Sequence, residues 1–179
     1  MNQSRKANFR KACLGIIVAV LVLGLFAYRN RRQIEAKVWH WRHGYTYGVG
    51  EYDVFIPDHW LPKRSDIPDN LLLYDTKSGS GVRIFLLPGL HELEFWETKH
   101  RQKLEKDHVK EIVDHTLNIV GQEVICVGGT EFQDELKLSA PNIISLDCES
   151  TGNLHLMFVG KDSELGTFYG LASRIKERR

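Results

Sequence analysis

Residues 143–159, IISLDCESTGNLHLMFV, decide the fold. IISLDC and LHLMFV are two short runs of alternating, β-rich residues, and the polar segment Glu149-Ser150-Thr151-Gly152-Asn153 separates them. Alternation with period two puts successive side chains on opposite sheet faces, and a short polar connection forces the strands to pair antiparallel. Upstream, HTLNIV (115–120) and EVICV (123–127) repeat the pattern around the break at Gly121. Residues 130–139 alternate more weakly, carry charges, and read as a hairpin outside the main sheet. Downstream, Asp162 or Ser163 is a plausible cap. Leu165, Phe168, Tyr169, Ala172 and Ile175 then form one apolar stripe, predicting a C-terminal helix that Arg174, Lys176, Arg178 and Arg179 finish.

Further upstream, HELEFWETKHRQKLEK (91–106) predicts a second helix with Leu93, Trp96, His100 and Leu104 on its buried face. Its acidic residues come early and its basic residues late, which complements the helix dipole. Residues 45–56, YTYGVGEYDVFI, read as a first strand closed by the turn Pro57-Asp58-His59-Trp60-Leu61-Pro62. Strands at 71–74 and 82–87 flank the turn Ser78-Gly79-Ser80-Gly81. That turn leads into β-branched sequence rather than a helix, so it is a hairpin turn and not a phosphate cradle. The predicted fold class is α+β: an N-terminal transmembrane helix followed by a curved antiparallel sheet covered by helices.

Several of these residues together resemble a family. Phe55-Ile56-Pro57-Asp58-His59-Trp60, the strand Leu72-Leu73-Tyr74-Asp75, the turn Gly121-Gln122-Glu123 and the closing Phe158-Val159-Gly160 before a helix resemble Mog1/PsbP-like domains over residues 45–176. The resemblance, to bacterial membrane-anchored members, implies a curved antiparallel sheet sandwiched by helices. It implies no single activity, because such domains serve as photosystem accessory subunits, transport-factor binders and secretion chaperones.

The N-terminal quarter follows other rules. ACLGIIVAVLVLGLFAY (12–28) is seventeen residues without a charge, a helix about 26 Å long at the short end of what spans a hydrocarbon core. It follows a basic tail, 1–11, and precedes a juxtamembrane helix or linker, 29–44; residues 45–179 form the soluble domain. The run exceeds a typical signal core and lacks an A-x-A site, so the reading is a retained signal-anchor in the cell membrane and not a cleaved leader. A short basic tail before the first apolar segment usually stays inside, which puts the domain outside the cytoplasm. Trp39 and Trp41 with Arg42 either rest among lipid head groups or pack on the domain.

Residues 1–32 carry seven Lys or Arg and no acid, leaving 17 basic against 23 acidic residues in the remainder. A domain of that sign is a poor partner for nucleic acid. Candidate chemistry is sparse. His40 and His43 form an HxxH spacing without further ligands nearby, and Glu131, Asp134 and Glu135 lack the regular spacing of a calcium loop. No metal, cofactor or catalytic residue is assigned. Cys126 and Cys148 are a candidate disulfide, since direct antiparallel pairing would bring them together about a turn centred near residue 137; two buried free thiols are the alternative. A Cys–His site using His115 or His155 is the sharper alternative. The leading function is a non-enzymatic, membrane-tethered binding or assembly module with a protein partner. The alternatives are a membrane-anchored enzyme of unrecognised type and a lipid or small-ligand carrier.

Overall fold

The computed structural model describes residues 3–63, 65–87, 92–107, 109–131 and 143–178, with side chains from Leu14 onward except those of Lys110, Glu111 and Glu131. The strands around residues 143–159 organise it. β8 (Ile143–Ser150) and β9 (Leu154–Lys161) pair antiparallel, with Ser145 opposite Val159 and Cys148 opposite Leu156. To one side lie β7 (Gln122–Glu131) and β6 (Lys110–Ile119); to the other lie β5 (Gly81–Leu86), β4 (Asn70–Asp75) and β3 (Trp60–Lys63). The seven-stranded sheet runs β3-β4-β5-β9-β8-β7-β6, and every pairing is antiparallel.

β7 and β8 extend beyond the short runs expected for them, pairing as far as Glu131 opposite Ile143. The hairpin expected at 130–139 is therefore part of the main sheet at its described end; residues 132–142 lie outside the described residues. Gly128 in β7 serves this pairing. A β-carbon there would meet Ser145 O at 1.8 Å and Leu146 Cα at 2.8 Å, both main-chain atoms that cannot step aside. Gly128→Ala is therefore expected to destabilise the domain by about 1–3 kcal/mol, the usual range for overpacking, measured by denaturant unfolding.

The expected first strand is instead a hairpin. β1 (Thr46–Val49) and β2 (Tyr52–Phe55) pair across the two-residue loop Gly50-Glu51, and Gly50 holds φ +52°. The C-terminal helix is also shorter than its apolar stripe suggested. After a 3-10 turn at Asp162–Glu164, α4 spans Leu165–Ala172. Lys176–Glu177 then forms β10 against β2, so the basic tail residues leave the helix, and Arg178 Nε donates to Asp53 Oδ1 at 3.0 Å. One face of the large sheet is covered by the small β1-β2-β10 sheet and α4. Trp60, Leu73, Ile84, Leu146, Leu156 and Phe158 pack there against Val54, Ile56 and Phe168. The other face carries α3 (Leu93–Lys106), whose Leu93, Trp96 and Leu104 pack on Ile125 and Val127.

Two helices precede the domain. α1 spans Gln3–Arg29 and α2 spans Arg31–His43. α2 does not simply prolong α1: the axes of Leu14–Arg29 and Arg31–His43 differ by 74°. At the break, the Asn30 side chain donates to Phe26 O at 2.9 Å. α2 packs beside edge strand β3, burying Ala36 and His40 and resting Trp39 on the core. That covers a sheet edge that would otherwise present unpaired backbone groups. No single helix among the described residues is long and apolar enough to cross a membrane; α1 and α2 pass that test only as a bent pair.

Candidate functional site

The register of the central strands decides which groups meet. Cys126 stands directly opposite Cys148, and their sulfurs are 2.08 Å apart in a disulfide. Both cysteines are buried in the main core. His115 stands opposite Cys126 in β6, and its ring centroid lies 4.5 Å from that of Tyr169. The thiols being joined to each other, this face offers no thiolate nucleophile to His115. His155 does not join them. It alternates to the opposite face, so no Cys–His site is assembled through it.

That opposite, outer face holds the most chemically varied cluster. Arg83 Nε donates to Asn70 Oδ1 at 3.0 Å, and the guanidinium sits 4.9 Å from the Phe85 ring centroid. Phe85 stacks on His155 at 5.6 Å. His155 is only 2% exposed, and its Nδ1 faces the Glu149 carboxylate. Its Nε2 has no hydrogen-bond partner among the described residues. Two residues along β8, the Asp147 carboxylate lies 3.5 Å from Nε2 of His100, which α3 presents stacked on Trp96. Two carboxylates of one strand are thus each matched to an imidazole, one from β9 and one from α3.

Asp147 is the responsive group of this cluster. Burial pushes its carboxyl above the ordinary range, Glu149 adds to the rise, and His100 and Lys103 oppose it. The folded state therefore holds the Asp147 proton more tightly than the unfolded chain does. Its contribution to stability falls as pH rises from the unfolded carboxylate value through the higher folded one. Asp147→Asn should accordingly be more stable than the parent at neutral pH, with the advantage vanishing in acid. Thermal unfolding of both proteins at the two pH values checks this.

The remaining sequence candidates take other roles. His40 has Nδ1 3.0 Å from Gly44 O and Nε2 3.0 Å from Pro57 O, so both ring nitrogens are occupied in docking α2. His43 Nδ1 lies 3.1 Å from Trp39 O. The HxxH spacing makes no metal site here, and no group of three or more His, Cys, Asp or Glu among the described residues is placed to hold a metal ion. Asp134 and Glu135 lie outside the described residues, as does the Glu131 side chain. A groove of about 830 Å³ runs between β1–β2 and the C-terminal segment, lined by Thr46, Asp53, Phe55, Arg174, Lys176 and Glu177. Arg174 lies 5.0 Å over the Phe55 ring there.

The fold resembles a PsbP protein. The chain is similar in structure to cyanobacterial PsbP (CyanoP) from Synechocystis, with a TM-score of 0.45 and 12% identity over 74% of this chain and 91% of that one. At this level the likeness carries nothing about activity or partners. No protein-family model and no curated protein matches the chain. The outer-face cluster was missed in the sequence because Arg83, Phe85, Glu149 and His155 come from three strands. Only the register places them side by side.

Proposed function

We propose that this protein is a membrane-tethered binding or assembly module, with α1 as its anchor and the α+β domain as the part that engages a protein partner. The observation that carries this reading is the state of α1. Its large apolar residues from Leu14 to Tyr28 are each 52–81% exposed. Each Leu, Ile, Val or Phe left in water forgoes up to about 1.5–3 kcal/mol of burial. Ten such residues on one helix call for an apolar surrounding. The basic residues at both ends of the 12–28 run suit lipid head groups. The Cys126–Cys148 disulfide favours a domain exposed to an oxidising compartment outside the cytoplasm.

Partner binding is supported by the outer-face cluster, whose Arg83, Phe85 and Asn70 are half-buried and carry both charge and ring surface. Leu72, exposed beside them, is a convenient probe position. A photo-crosslinking residue at Leu72, in native membranes, should give one discrete protein adduct that Arg83→Glu abolishes. An absent adduct, or one indifferent to that charge reversal, would count against this face as the binding site.

A further inference from the structure

α2 has two opposed faces, and the domain uses only one. Arg32, Ala36, Trp39, His40 and His43 fall on one side of the helix at 100° per residue. On this side Ala36 and His40 are buried, and the Arg32 guanidinium donates to Tyr74 Oη at 2.5 Å. The opposite side carries Ile34, Val38 and Trp41, spaced i, i+4, i+7 and exposed by 42%, 42% and 83%. Arg31 and Arg42 flank this stripe on one side and Lys37 on the other, all exposed. Glu35 is the one acid on the helix, and Arg31 Nε meets it at 2.7 Å.

We infer that this outer face of α2 lies in the head-group layer of an anionic lipid surface. Ile34, Val38 and Trp41 enter the acyl boundary there, while Arg31, Lys37 and Arg42 meet lipid phosphates. The inference rests on the reading of α1 as anchor, and two further observations select lipid as the occupant. First, the stripe is continuous in the chain with α1 and inclined 74° to it, so an α1 that crosses the bilayer near its normal leaves α2 close to the membrane plane. Second, the composition is that of an interfacial helix: an apolar stripe with a tryptophan, rimmed by cations. α2 is not itself a spanning element, because its inner face is bonded to the domain through His40 and Pro57. The consequence is positional. The β3 edge, against which α2 packs, faces the bilayer at one helix diameter, about 10 Å, and the domain is held in one orientation rather than swinging on a linker.

The test uses the full chain with its disulfide intact and Cys13→Ser, reconstituted into phosphatidylcholine vesicles with or without phosphatidylglycerol. A polarity-sensitive fluorophore is attached at Val38→Cys, at Leu21→Cys in α1, or at Glu105→Cys on exposed α3. Quenching by nitroxides in the lipid head group and in the acyl chain reads depth. The label at 38 should be blue-shifted and quenched several-fold more by the shallow nitroxide than the label at 105, more so with phosphatidylglycerol present. The label at 21 should respond to the deep nitroxide. A label at 38 that behaves like the one at 105, while 21 is quenched, refutes the α2 inference and leaves the anchor standing. A label at 21 that is not quenched refutes the anchor and the inference together. A label at 38 shielded without nitroxide quenching, and crosslinking to the same position of a second copy, assigns the stripe to self-association and overturns the lipid assignment.

Discussion

Trp60→Ala should cost the domain about 3–5 kcal/mol, the range for deleting a buried aromatic from a core. Trp60 heads the set of largest fully buried side chains, and its surroundings fix it closely. The turn before it is closed by Trp60 N donating to Pro57 O at 2.9 Å. Thr76 N, at the end of β4, donates to His59 O at 2.9 Å, so the indole enters the core where edge strand β3 begins. A cavity there lies between the large sheet and the β1–β2 layer, and neither layer can close it without breaking the turn. Trp60→Phe should cost much less. It keeps most of the ring and removes an indole N–H that has no hydrogen-bond partner among the described residues. Urea unfolding of the three proteins measures this, and an alanine variant within about 1 kcal/mol of the parent would contradict the packing described.

The second large effect concerns the disulfide. Replacing Cys126 and Cys148 together by alanine should lower stability by about 3 kcal/mol, because the bridge closes a loop of 22 residues that the unfolded chain would otherwise explore. The loss is expected without a change of fold, since the β7–β8 ladder is paired for seven other residue pairs. In protein isolated from its native source, neither cysteine should react with an alkylating reagent until reductant and denaturant are both present. Alkylation of both without reductant would show that the bridge is not formed there.

The strands about residues 143–159 were legible because alternation and a polar turn are local signals. The opposition of Cys126 and Cys148 stayed open beside two free thiols, and the register of β7 on β8 places them directly opposite each other. Other elements gave no such signal. β3 holds Pro62 within four residues, which reads as a turn; it is tolerated because β3 is the edge strand and its proline needs no outward donor. Gly50 sat inside an alternating run and concealed the β1–β2 reversal. Arg174 to Arg178 looked like a helix end because basic residues favour one, yet Ile175 is buried outside α4 and β10 follows. Neighbours across strands, such as Glu149 and His155, depend on register, which no single segment contains. The two faces of α2 depend on where the domain lies, and the periodicity of Ile34, Val38 and Trp41 acquires a meaning only after Ala36 and His40 are seen buried.

The account stands on α1 remaining in lipid as part of the mature chain. Alkaline carbonate extraction of native membranes, followed by intact-mass analysis, tests this directly. The protein should stay in the pellet with residues 12–28 still attached. A chain released to the supernatant and beginning at Tyr28 would contradict it.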